Sequence, residues 1–258
     1  MKILIRKQKR KFLEDLNKTV TIVKPKRYFV EDDSKDYHTE FGIIKKSELR
    51  KKEGSVVKTD TGKELSMFSP SFIDLYMRIE RSAQIIPLKD VGSIIASTGI
   101  GKDSRILDAG AGSGGLSLFL AHIAKEVIAY ELREDHYELV NRNIERLGLK
   151  NIKLKNDNIY DGIKEKNLDV ITLDLPEPWK VIPHLKALKI GGFAVIYNPS
   201  IIQIKDFVDA IQEDDMFETV KISEIIERSW EIKDRKVRPK TQGIGHSGFM
   251  LFIRRIQG

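Results

Sequence analysis

The residues of this chain that could do chemistry fall at the ends of short apolar runs. Ile106 and Leu107 close the first run, and Asp108 follows at its C-terminal edge. Gly110, Gly112 and Gly114 then carry a turn, and Leu116 to Ala124 places apolar residues at spacings of three and four, the period of a helix. Strand, glycine turn and helix in that order bring backbone N–H groups and a positive helix end against a nucleotide-like ligand. A Cβ in such a turn would block both the turn and the ligand's approach. Glu131 ends a second run, where a carboxylate can accept both hydroxyls of a ribose. Asp157 follows a third, placed either to meet an adenine amino group or to close an Asx turn. Asp174 ends a fourth run, Val170–Leu173, across from the glycine turn. Pro176 and Pro178 hold the chain behind it, since neither can continue a ladder. An acid and a large aromatic, Trp179, held so rigidly exceed what structure needs, and Trp179 itself is expected to pack against the core.

Two ligand classes fit the turn. Gly110, Gly112 and Gly115 satisfy G-x-G-x-x-G, with Glu131 near the spacing found in dinucleotide sites. The same stretch satisfies D-x-G-x-G-x-G, which resembles motif I of the class I S-adenosylmethionine (SAM) methyltransferases. Asp108 favours the second reading. SAM has no pyrophosphate but carries an amino-acid ammonium, and a carboxylate beside the turn suits a cation.

These residues need a scaffold, and 258 residues with 41% hydrophobic content can build one large domain with a small appendage. There is no cysteine, which excludes disulfides, thiolate metal sites and a cysteine nucleophile. The five histidines form no H-x-x-x-H pair, so no metal is expected. The N-terminus is basic without an apolar signal core, and no apolar run approaches the ~18 residues of a membrane span. A cytoplasmic protein with no membrane partner is expected. A net charge of +7 favours a polyanionic partner.

Residues 1–70 read as a small β-rich domain: short β-branched or aromatic runs are separated by turns at Lys24-Pro25, Glu53-Gly54 and Asp60-Thr-Gly62. The cluster Arg6 to Lys11 is either a solvated surface or a nucleic-acid contact. Residues 71–258 alternate strands and helices. Strands are predicted over 105–108, 127–131, 152–155, 168–173 and 192–197, with helices over 115–124, 134–147 and 179–188 between them. That pattern is a Rossmann-like α/β fold with a mostly parallel sheet. Two apolar runs near the end, 219–228 and 248–254, suit an antiparallel hairpin at the C-terminal edge of the sheet.

One segment makes a resemblance specific. Asp174-Leu-Pro-Glu-Pro-Trp179 is similar to the D-L-P-x-P-W motif of the TrmI family of tRNA (adenine-N1)-methyltransferases. His38-Thr39 with Gly42, and Thr61-Gly62 before Pro70, resemble that family's N-terminal domain. Arg81 and Gln84-Ile-Ile with Lys89-Asp90, then Tyr197-Asn-Pro-Ser with Gln203, resemble two further motifs. Arg228-x-Trp-Glu231, Arg238-Pro239 and Gly245-His-Ser-Gly-Phe249 match the closing one. The resemblance implies a class I methyltransferase fold and methyl transfer from SAM to N1 of adenine in the tRNA T-loop, at position 58 with 57 as a second candidate. It implies tRNA as partner, no metal and a homotetramer. The SAM site it implies comprises Gln84, Asp108, Gly110, Gly112, Ser113, Gly114, Glu131 and Asp157. Asp174 would be the catalytic carboxylate, and Tyr197, Trp179, Arg238 and His246 would bind substrate. Pro87-Leu88 stands where the family commonly has Tyr-Pro, so the aromatic there is missing, with Tyr76 as a candidate substitute. A nicotinamide-dependent oxidoreductase and a non-catalytic tRNA-binding subunit are the alternatives on the same fold.

Overall fold

The computed structural model describes every residue except Asp234, Arg235, Gln242 and Ile244, and every side chain of the rest except Leu16 and Lys233. The chain divides into two compact units, Met1–Met77 and Arg78–Gly258.

In the first unit, β1 (Lys2–Arg6), β2 (Lys9–Leu13), β3 (Lys18–Val23), β4 (Lys26–Val30), β5 (Tyr37–Thr39) and β6 (Gly42–Ile44) precede the short helix α1 (Lys46–Leu49). Then come β7 (Val56–Lys58), β8 (Glu64–Phe68) and α2 (Phe72–Tyr76), which has a Ser71–Asp74 capping box at its N-terminus. Strands β4-β1-β8-β7 form an antiparallel sheet. Alternate residues Leu4, Val30, Val57, Leu65 and Met67 bury one face together with Ile44 and Leu49. Among the described residues, the β2–β3 hairpin pairs only with itself.

The second unit runs α3 (Leu88–Thr98), β9 (Arg105–Ala109), α4 (Gly115–Ile123), β10 (Glu126–Tyr130), α5 (Glu134–Leu147), β11 (Ile152–Lys155), β12 (Leu168–Leu173), β13 (Leu188–Asn198), α6 (Ile201–Ile211), β14 (Phe217–Ser223), β15 (Trp230–Lys233), β16 (Lys236–Pro239) and β17 (Phe249–Arg255). The seven-stranded sheet has the order β11-β10-β9-β12-β13-β17-β14. It is parallel from β11 to β13, and β17 pairs antiparallel with both β13 and β14. Its strands are apolar on both faces because both are covered. Leu107, Ile171 and Ile196 enter one core with Phe207 of α6, while their neighbours Ile106, Val170 and Val195 enter the other with Ile94 and Leu120.

One expectation is corrected here. The helix predicted over 179–188 is a 3₁₀ segment, Pro178–Ala187, because Pro183 lies inside it. Proline has no N–H to give, and its ring collides with the carbonyl four residues back, so regular α-helix is excluded. Between the last two apolar runs, β15 and β16 pair antiparallel, Trp230 opposite Pro239. Among the described residues, no helix is long and apolar enough to cross a membrane.

Candidate active site

Strand order reverses direction at β9, whose neighbours are β10 and β12. A crevice opens outside the carboxyl ends of strands at such a point. Here it is a cavity of about 400 Å³. Asp108, Glu131 and Asp174 end or follow β9, β10 and β12, Asp157 follows β11, and all four line it. Gln84, Gly110 and Gly112 line it too.

The turn after β9 is built by positive backbone angles at Gly110 (φ 85°), Gly112 (φ 58°) and Gly114 (φ 83°). Gly110 has a second reason to lack a side chain: a Cβ there would lie 2.1 Å from the Asp174 carbonyl oxygen. The turn is thus pressed against the segment carrying Asp174, whose N–H donates to Ala109 O at 2.9 Å. The first three N–H groups of this turn are used internally. Those of Gly110 and Ala111 donate to Tyr130 O, both at 3.1 Å, and that of Gly112 donates to Glu131 Oε2 at 2.7 Å. Glu131 also accepts from Arg133 N–H at 2.9 Å, so its carboxylate fastens strand to turn and keeps its remaining lone pairs for the cavity.

Ser113 and Gly114 do not line the cavity. Ser113 Oγ accepts from the N–H groups of Ser82 and Ala83 and donates to Ala83 O. Asn143 of α5 completes that clamp: its Nδ2 donates to Glu80 O and Ser113 O, and its Oδ1 accepts from Glu80 N–H at 2.8 Å. Together they hold segment 80–83, which delivers Gln84 to the cavity. Gly114 caps α4, and a Cβ there would meet Leu118 Cδ1 at 2.9 Å.

Asp108 is buried, with one oxygen accepting from Ser117 Oγ and the other from Thr172 Oγ1 at 2.6 Å. Burial pushes its carboxyl pKa up in spite of those two bonds. Burial, and then the charge of Asp108, push Asp174 up to about 7. The loop after Asp174 is fixed from β13 and α6: Asn198 Nδ2 donates to Leu175 O at 3.3 Å and Gln203 Nε2 to Pro176 O at 2.7 Å. Two acids in a low-dielectric wall make a site that favours a cation.

The four residues expected to bind substrate do not line this cavity. Tyr197 is buried; its hydroxyl donates to Asp90 Oδ2 at 3.2 Å, and Gly248 lies so close that a Cβ would sit 2.4 Å from Tyr197 Cζ. Lys89 and Ser247 complete a buried network around Asp90. Trp179 packs against the core. Arg238 is exposed on β16, 3.8 Å from the Glu231 carboxylate. His246 places Nδ1 2.6 Å from Glu224 Oε1 and Nε2 2.9 Å from Pro199 O, and these acceptors, the carboxylate first, raise its pKa. Tyr76 ends α2 of the first unit.

His136 and Arg133 line the cavity without having been singled out in the sequence. The signal for His136 was phase: it shares the buried stripe of α5 with Val140 and Asn143, four and seven residues on.

This architecture, with a glycine turn at the reversal point of the sheet and acids at successive strand ends, is shared with the class I SAM-dependent methyltransferase fold. A solved SAM-dependent O-methyltransferase from Thermotoga maritima has it, with a TM-score of 0.79 and 29% identity, covering 100% of this chain and 93% of that one. Residues 74–248 match the family described as tRNA methyltransferase complex GCD14 subunit, and the chain belongs to that family. It is similar to tRNA (adenine(57)-N(1)/adenine(58)-N(1))-methyltransferase TrmI of Methanocaldococcus jannaschii, at 30% identity over 89% of this chain and 91% of that one. It is also similar to tRNA (adenine(58)-N(1))-methyltransferase TrmI of Thermus thermophilus, at 32% identity over 85% of this chain and 88% of that one.

Proposed function

We propose that this chain methylates N1 of adenine in the tRNA T-loop, at position 58 with 57 as a second candidate, using SAM as donor. The observation that carries the reading is the combination of an acid-lined cavity with a glycine turn in which the N–H groups of Gly110, Ala111 and Gly112 are already bonded. A dinucleotide's pyrophosphate needs free N–H groups at that turn. Here Gly110, Ala111 and Gly112 have none to spare, while Asp108 and Asp174 favour positive charge. This argues against the nicotinamide alternative.

The residues fit the donor. Gln84, Asp108, Glu131 and Asp157 would hold it, with Gly110 and Gly112 giving it room and Ser113, Gly114 and Asn143 keeping the turn in shape. When bound, SAM supplies an electrophilic methyl group carried on a sulfonium. Adenine N1 has no proton at neutral pH, so the protein must align the base more than deprotonate it. Asp174, ionised, would accept the exocyclic N6–H and offset the positive charge that develops on the ring. At ~4 Å and an effective dielectric of ~20, one carboxylate contributes roughly 4 kcal/mol, about three decades in rate.

Hydroxyl methylation is the second reading, favoured by the name of the Thermotoga maritima relative and by a carboxyl near pKa 7, suited to act as a base. Incubation with labelled SAM and unmodified tRNA, followed by nucleoside mass spectrometry, separates the two. 1-Methyladenosine is expected; label only in ribose-methylated nucleosides, or none in tRNA, would overturn the proposal. A homotetramer in the cytoplasm belongs to the same reading, and sedimentation equilibrium checks the assembly.

A further inference from the structure

The positive charge of this protein is not spread over it. Residues 1–77 hold 18 Lys and Arg against 12 acids, while residues 78–258 hold 27 against 26. Within the first unit, residues 2–27 alone carry ten basic side chains and two acids. The unit with the cavity is therefore nearly neutral, and its cavity wall is acidic. A polyanion gains little there.

The basic residues of the first unit are also arranged. Strands β2 and β3 form a hairpin that joins no larger sheet, and its residues Lys9–Phe12, Lys18–Thr19 and Thr21–Ile22 are exposed. Pairing puts Lys11 opposite Val20 and Leu13 opposite Lys18. Paired and alternate residues share a face, so Lys11 and Lys18 stand on one side and Arg10 and Phe12 on the other, while a bulge between Lys9 and Arg10 interrupts the alternation before Lys9. Lys9, at the foot of the hairpin, borders a groove of about 430 Å³ together with Arg6, Lys7 and Lys63. Its one acid, Glu64, is 3.4 Å from Lys58. Like charges crowded on a two-stranded ribbon weaken a structure that is marginal in water by itself. A row of phosphates relieves that repulsion.

Accepting tRNA as the substrate, we propose that the lysine face of the β2–β3 hairpin and the groove beside it form the main docking surface for the RNA backbone. Affinity then resides in the N-terminal unit and chemistry in the other. The hairpin makes sequence-independent phosphate contacts, and the base is selected elsewhere.

The test is the full-length triple variant K9E/K11E/K18E, whose changes lie on exposed side chains, with K9Q/K11Q/K18Q and Phe12→Ala beside it. In the glutamate variant tRNA binding should weaken at least about tenfold near 0.1 M salt. The glutamine variant should weaken less, and lower the slope of log affinity against log salt by about two to three. Phe12→Ala should leave that slope unchanged. SAM affinity, the rate at saturating tRNA and the assembly state should match wild type. Unchanged tRNA affinity in the glutamate variant, while wild type methylates tRNA, would overturn this inference and leave the proposed function standing. Loss of assembly would overturn it in favour of an interface between copies. Failure of wild type to methylate tRNA would instead sink the reading on which the inference rests.

Discussion

Asp174 is the acid proposed to act in the transfer, and its raised pKa makes two expectations. Its carboxyl in the folded protein titrates near 7, against about 4 when unfolded. Between those values the folded state binds more protons than the unfolded one, so stability falls as pH rises from about 4 to 7. Asp174→Asn removes this dependence. The variant should gain thermal stability relative to wild type as pH rises through that window; parallel melting curves would contradict it. A cation in the cavity favours the ionised acid. SAM binding near pH 7 should therefore release protons, seen as a dependence of calorimetric heat on buffer ionisation enthalpy, and Asp174→Asn should abolish most of it. In catalysis, with SAM and tRNA both saturating, Asp174→Ala should lower the single-turnover rate on the order of 10²–10³. Asp174→Asn should lie between, since its amide oxygen still accepts N6–H without charge. A drop below tenfold in the alanine variant would mean that the carboxylate is structural.

At the scale of the element, the turn after β9 distinguishes its glycines. At Gly112 a Cβ has ordinary contacts, Ala83 Cβ being 3.6 Å away, but the backbone is left-handed. Gly112→Val should cost about 1–3 kcal/mol and survive folded while losing SAM, because the strained turn borders the cavity. At Gly110 the obstacle is backbone, so Gly110→Ala must push β9 and the Asp174 segment apart. It should melt well below Gly112→Val; the reverse order in thermal scans would refute this division of labour. Asn143→Ala leaves Glu80 and Ser113 backbone groups unpaired beside α5. A loss of about 2–4 kcal/mol is expected, with weaker SAM binding as segment 80–84 loosens. Unchanged calorimetric affinity would mean that Gln84 needs no such support.

For the whole molecule, binding and chemistry separate in their response to salt. Net charge of +7 sits almost entirely in the first unit. The tRNA affinity should fall linearly in log–log terms as salt rises, by about 0.9 per duplex phosphate neutralised. SAM affinity should change little, since the residues proposed to hold it line a partly enclosed cavity. Filter binding and calorimetry over the same salt series check both, and a salt-independent tRNA affinity would remove the electrostatic reading.

The sequence by itself determined the strand–turn–helix around Asp108, the order of the parallel core and the four acids at strand ends. Each is a local or periodic signal: apolar runs set the strands, and glycines mark where the backbone must turn left-handed. Asp108, Glu131, Asp157 and Asp174 are far apart in the chain, yet legible because strand ends in a parallel sheet share one edge. What the sequence could not set is which way a side chain faces once neighbours compete for the space. Tyr197 looks like a base-holding aromatic until Gly248 and Asp90 close around it. Ser113 looks like a ligand contact but is spent on Ala83. His136 enters the cavity through the phase of α5, and Asn143 reaches Glu80 across 63 residues of chain. Only the tertiary structure decided that the N–H groups of Gly110, Ala111 and Gly112 were already bonded, because their acceptors, Tyr130 O and the Glu131 carboxylate, come from the end of the next strand.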